Sequence, residues 1–167
     1  KRDTFDLDFQ HKVAPINNHE LVWGGGYRLS HNGFTSGLLA SVEETNDKIT
    51  VWNLFLQDEI NFPEFDFTFM LGAKVEGNNY SGKEFQPSLR GSWVPSDKFT
   101  WWFSVSRAAR TPSVGEIDSV VNVREIPPFS LSPDNPLTTL VQVKGSESFE
   151  AEHVDAYESG IRWIPTS

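Results

Sequence analysis

From residue 51 to residue 112 the sequence alternates apolar with polar residues through four long segments, separated in turn by a short, a longer and a short link. Successive side chains of a strand point to opposite sides, so this stretch specifies a sheet with one apolar side and one polar side. A sheet that crosses a membrane with one face on lipid and one on water needs this arrangement.

The same period continues on both sides of that stretch. Seven strands are predicted, over residues 4–12, 19–30, 49–61, 65–76, 85–94, 99–111 and 152–163. The fourth is the most regular. Phe65, Phe67, Phe69, Leu71, Ala73 and Val75 share one face, and Asp66, Thr68, Gly72, Lys74 and Glu76 the other. Strands joined by tight turns are antiparallel. Pro63 and the Pro95-Ser96-Asp97-Lys98 run supply turn chemistry. The links sort by end of the sheet: those after strands one, three and five are short, and those after two (residues 31–48), four (residues 77–83) and six (residues 112–149) are longer. The last carries five prolines and no sustained period and reads as one long external loop.

Composition removes several function classes. The 167 residues hold no cysteine, so disulfides and thiol chemistry are excluded. Net charge is -9 with scattered basic residues, which argues against a nucleic-acid partner. No apolar run reaches the 18 residues of a membrane helix. A mean hydropathy of -0.39 suits a barrel, whose strands are apolar only at alternate positions, and suits a soluble domain equally well. The chain begins at Lys1 almost directly in a strand, and reads as a mature or excised segment.

Alternation alone does not choose between a lipid-facing barrel and a soluble β-sandwich. Three features favour lipid. The strands run about 10–13 residues against a usual soluble length of about 5–6. Phe62, Phe65, Trp93, Phe99, Trp101 and Trp163 crowd the short-turn ends, where an aromatic belt meets the membrane boundary. Lys74, Arg90 and Arg28 occupy the polar face, as in a wet lumen.

Residues 52–118 resemble the barrel of TonB-dependent outer-membrane receptors. The resemblance rests on the order and spacing of LFLQDEI (54–60), LGAKVEGNNYSG (71–82), FQPSLRGSWVPSD (85–97) and FTWWFSVSRAARTPSVGEID (99–118), joined by the Glu150…Tyr157-Glu158-Ser159-Gly160 strand. It implies an all-β fold: an antiparallel up-and-down meander of about seven long strands, part of a transmembrane β-barrel of the bacterial outer membrane. It implies uptake of a scarce nutrient such as a ferric siderophore, with a plug domain and TonB as partners, outer-membrane lipid around the wall and a small-molecule ligand. No plug is visible in the chain, and the family's final aromatic-ended strand is missing, so residues 1–167 read as a partial barrel domain from the middle of such a protein. A passive porin-type barrel and a soluble β-sandwich binding module remain as alternatives.

The candidate ligand-binding residues lie at the long-link ends. Arg107 and Arg110 rise into the long loop, either to meet acidic plug or ligand groups or to neutralise carboxylates across the sheet. The loop itself contributes Glu116, Asp118 and Phe129, and the link after strand four contributes Asn78, Asn79 and Tyr80. The four histidines have no metal-ligand spacing. The Gly24-Gly25-Gly26 run is followed by no helix, which argues against a phosphate loop; small residues there let a plug or a neighbouring backbone approach. Asp58 and Glu59 are strand neighbours and face opposite sides, which argues against paired acid–base catalysis. No enzymatic step and no cofactor are expected. A chain with a bare apolar face should self-associate or precipitate when produced without detergent; size-exclusion chromatography giving a monodisperse, cooperatively unfolding monomer would instead indicate the sandwich.

Overall fold

The computed structural model describes residues 2–32, 40–42, 48–134, 136–146 and 148–165. Its elements are β1 (Arg2–Lys12), β2 (His19–Asn32), β3 (Ala40–Val42), β4 (Lys48–Phe62), β5 (Phe67–Asn78), β6 (Gly82–Ser96), β7 (Phe99–Arg110), α1 (Val114–Asp118), β8 (Ser119–Ile126), β9 (Thr139–Lys144) and β10 (Glu152–Trp163). Seven strands, each of 11 to 15 residues, form one antiparallel sheet in the order β1-β2-β4-β5-β6-β7-β10. The sheet is open, with β1 and β10 at its two edges.

Cross-strand register puts all the apolar columns on one face. Leu71 stands opposite Asp58 and Leu89, Val75 opposite Leu54 and Phe85, and Val105 opposite Leu89 and Tyr157. Among the described residues nothing covers that face: Phe5, Leu7, Leu54, Phe85 and Tyr157 are each more than half exposed. A soluble sheet of this size would bury such residues against a second layer. Among the described residues the buried apolar side chains are Pro112, Ile117 and Val120, and all three belong to the loop, not the wall. The sandwich alternative is thereby set aside.

The turns differ from expectation in two places. Phe65 does not open a strand; it ends a 3-10 turn (Pro63–Phe65) that Asp66 closes at φ 52. Asp tolerates this left-handed conformation better than most residues. The link expected over residues 77–83 shrinks to three residues, because β5 and β6 stay paired out to Asn78 and Gly82. Gly82 sits at φ 93, which only glycine adopts without strain. The contrast in link length therefore rests on residues 33–47 and 111–151. The second of these is not irregular: it holds α1, β8 and β9, and β8 pairs with β3 to give a three-stranded sheet, β3-β8-β9. The prolines fall outside those strands, and the bulge between Asn122 and Arg124 breaks the period that would have revealed β8.

Four cross-strand pairs set an aromatic ring on a glycine. Phe55 lies over Gly24, Trp52 over Gly77, Phe103 over Gly91 and Trp102 over Gly160, each pair in direct register. A Cβ on any of these glycines would come within 2.8 Å of the ring. The ring covers the bare backbone of the glycine, which otherwise weakens a strand. Rings also gather at the short-turn end of the apolar face, where Phe67 and Phe69 meet at 4.3 Å with their planes tilted by 38° and Trp93 meets Phe99 edge-on at 6.0 Å.

Lipid on one face and water on the other give opposite tolerance to charge. Leu71→Arg, on the apolar face, is expected to cost about 2–4 kcal/mol, and Gln57→Arg, on the polar face, under about 1 kcal/mol. Guanidinium unfolding of the protein folded into vesicles measures both.

Candidate functional site

At the long-link end of the sheet the chain builds an ionic anchor for its long loop. Arg110 is the last residue of β7. Its Nε donates to Glu152 of β10 at 3.0 Å, and its Nη2 and Nη1 donate to the two oxygens of Glu116 at 2.9 and 3.2 Å. The planar guanidinium thus joins two strands to the first turn of α1.

Local sequence places Glu116 for this. Ser113 caps α1, its hydroxyl accepting from the Glu116 N–H at 3.3 Å, while the Glu116 carboxylate accepts from the Ser113 N–H at 2.7 Å. This is a capping box, written in the sequence as Ser113-x-x-Glu116 after Pro112. The hydrogen bonds from Arg110, then those from Ser113, hold the Glu116 carboxyl down at about 2. The loop closes beneath it through Gly145 N–H to Ser119 carbonyl at 2.7 Å and Ser146 N–H to Glu116 carbonyl at 3.1 Å. A Cβ on Gly145 would sit 2.4 Å from the Ile117 carbonyl oxygen, so only glycine allows that closure.

The β5–β6 turn leans on the same corner. Tyr80 lies beside Thr111, next to Arg110, and burial pushes its phenol above the ordinary value. Asn78 spends its side-chain oxygen on the Tyr80 and Ser81 N–H groups at 2.9 and 2.6 Å, an Asx turn. Asn79 caps β4, accepting from Thr50 N–H at 3.0 Å and donating to the Lys48 carbonyl at 2.9 Å.

The structure thus brings Tyr80, Arg110 and Glu116 together and places Asn78 and Asn79 in the supporting turn. Arg107 is elsewhere. It lies on the apolar face, three residues and one side of the strand away from Arg110, in a two-point pair with Asp155 at 2.7 and 3.0 Å. Asp118 ends α1, half-buried, and Phe129 stands exposed at φ 64 in the link between β8 and β9. Ser113 and Glu152 were not singled out from the sequence. The capping-box spacing signals the first; the second depends on the β7–β10 register and has no local signal. His153 Nε2 reaches Glu84 Oε2 at 2.6 Å, joining β10 to β6 beyond the point where the β6–β7 ladder stops at Ser88. Pro87 has no N–H to carry that ladder further.

Below this corner the polar face forms a hollow of about 570 Å³ lined by Glu59, Met70, Arg90, Trp102, Ser104 and Glu158, among others. Glu59, Met70, Arg90, Ser104 and Glu158 follow one another in register across five strands. Asp58 faces the other way, as its strand position requires, and its carboxylate meets His19 Nδ1 at 2.7 Å. Among the described residues no three His, Asp or Glu side chains are placed to hold a metal ion.

A single layer with a bare apolar face, a polar hollow and a loop anchored at one end is the wall of an outer-membrane β-barrel. The sequence profile described as TonB dependent receptor-like, beta-barrel matches residues 1–167, and the chain belongs to that family. An iron-regulated outer membrane virulence protein of Vibrio cholerae is 30% identical over 106 residues, which make up 63% of this chain and 16% of that protein. Among solved structures, a ferric enterobactin receptor (PfeA) mutant from Pseudomonas aeruginosa superposes with a TM-score of 0.69 at 17% identity, over 98% of this chain and 25% of that one. The siderophore receptor PirA from Acinetobacter baumannii gives 0.64 at 15% identity, over 98% and 24%. The chain therefore spans about a sixth of the curated relative and a quarter of the structural neighbours.

The depressed Glu116 value sets a pH dependence for the loop anchor. A carboxylate held below its unfolded value stabilises the fold above the ordinary carboxylate range and loses that contribution as pH falls towards about 2. Carbon-detected NMR of the Glu116 side chain should give a midpoint near 2, raised in Arg110→Ala but still below the ordinary range because the Ser113 hydrogen bonds remain, with the α1 resonances broadening over the same interval.

Proposed function

We propose that this chain is a wall section of a receptor that takes a ferric siderophore across the outer membrane in a TonB-dependent step. The observation that carries the reading is the match of the receptor-barrel profile to the whole chain, on a sheet whose polar face carries Glu59, Arg90, Ser104 and Glu158 in one row, interrupted only by Met70. The iron-regulated Vibrio cholerae relative and the siderophore receptors that share the fold support the choice of ligand class. The polar row would meet the plug domain, and the anchored loop would meet the ligand from outside.

In this reading ligand contact falls to Tyr80, Arg110, Glu116, Asp118 and Phe129. Asn78 and Asn79 shape the turn that presents Tyr80, and Arg107 steadies the β7–β10 pair from the lipid side. Passage is non-covalent: the wall binds, guides and excludes, and no bond is made or broken, so the chain is not an enzyme. A passive porin would need no such anchored loop.

Deletion of the gene should abolish growth on a ferric siderophore as sole iron source and abolish uptake of the ⁵⁵Fe-labelled complex, with the same loss in a TonB-deficient strain. Arg110→Ala, which frees the loop, should weaken binding of the labelled complex about tenfold while leaving the amount of folded protein in the membrane unchanged. Uptake that persists without TonB would support the porin instead.

A further inference from the structure

The three-stranded loop sheet is built from two links that lie far apart along the wall. β3 belongs to the link between β2 and β4, and β8 and β9 belong to the link between β7 and β10. The wall runs β1-β2-β4-β5-β6-β7-β10 and the loop sheet runs β3-β8-β9, in the same sense. β8 is the middle strand: Val120 pairs with Ser41 on one side and Lys144 on the other, and Val121 with Ala40 and Val143. β9 is paired along one side only, and among the described residues no strand lies on its other side. In that order the open edge falls towards β10, where the wall is open too.

β9 lacks what usually protects an edge. Strands that end a sheet in water carry charges, prolines or bulges that discourage further pairing. In Thr139-Leu140-Val141-Gln142-Val143-Lys144 the one charge is at the last position, Pro136 lies outside the strand, and the bulge is in β8. Leu140, Val141 and Val143 are exposed. Val141 and Val143 share a side of β9, and Val121 stands opposite Val143, so the three make an apolar stripe that runs out to the edge. β-branched residues at alternate positions on an open strand backbone are a template for one more strand.

We propose that β9 is the docking edge for a strand of the next external link of the intact receptor, the link that follows the strand paired to β10. A closed barrel continues from the β10 edge. Antiparallel strands bring every second link to the external end, so the strand that rises along β10 delivers its link on the β9 side. The incoming strand alternates as β9 does and sets its apolar residues beside Val141 and Val143. One sheet then follows the rim from β3 onward, and the loop held at Arg110 moves with its neighbours instead of alone.

The test is residue-resolved hydrogen–deuterium exchange of the intact receptor that carries this chain, folded in detergent and read by electron-transfer fragmentation of the β9 peptide. A strand paired on one side leaves every second amide open to water, and a strand paired on both sides protects them all. Every amide from Leu140 to Val143 should exchange slowly. Replacing the first external link after β10 by a Gly-Ser linker of equal length should speed every second one of them about a hundredfold, with Val120 and Val121 of β8 still slow. The Val141→Lys/Val143→Lys double variant, which charges the stripe, should do the same with the link intact; if its β8 amides also become fast, the loop has not folded and the link replacement decides. Fast alternate amides in the wild type, or β9 amides that stay slow after the link is replaced, would overturn the proposal. So would protection that rises with protein concentration, which would put a second copy of the receptor on the edge. No siderophore and no TonB enter the measurement, so its failure leaves the transport reading untouched.

Discussion

Backbone N–H and C=O groups cannot be left unpaired in hydrocarbon, and everything else in this chain follows from that constraint. Each unsatisfied group costs several kcal/mol where no water can reach it. Long antiparallel ladders meet the requirement: β4 and β5 stay in register from Val51 opposite Asn78 down to Phe62 opposite Phe67. The same constraint makes the two edges, β1 and β10, the places where pairing must continue in a closed barrel. It also explains why Pro87 stands where the ladder to β7 ends.

Once the backbone is satisfied, the side chains divide by solvent. The apolar face carries rings and aliphatics that no layer of the described residues covers, and the polar face carries the row that includes Glu59, Arg90 and Glu158. Within the sheet, glycine and ring pair across strands so that each ring occupies the space a side chain on the glycine would need. The ionic corner of Arg110, Glu116 and Glu152 then sets where the wall ends and the external loop begins. The anchor is exposed, so its bonds act by geometry more than by strength: three donors from one planar group leave the first turn of α1 one orientation.

The loop was the least legible part of the sequence. Residues 112–149 show no period because β8 is bulged and β9 is only six residues long, and because β8's partner, β3, lies some 80 positions earlier in the chain. The Ser113-x-x-Glu116 spacing is a local signal for α1, yet the segment read as loop, because a five-residue helix has no apolar period of its own. Arg107 and Arg110 looked equivalent as two basic residues at a strand end. A separation of three is odd, so a strand sends them to opposite faces, and only one of them meets the loop. Asn78 and Asn79 read as ligand-binding candidates, and their side chains are spent on the turn and on β4.

The sequence by itself determined the seven wall strands and the two faces of each, because side-chain alternation is a local property that survives without partners; that the apolar face has no second protein layer was decided by the tertiary structure. It also carried the family, through the order of short segments along residues 52–118. Tertiary structure alone decided the pairing of β10 with β7, the sheet that β3 makes with β8, and the convergence of Arg110, Glu116 and Glu152. Those depend on which distant strands share hydrogen bonds, and no local period encodes a contact between residues 40 positions apart.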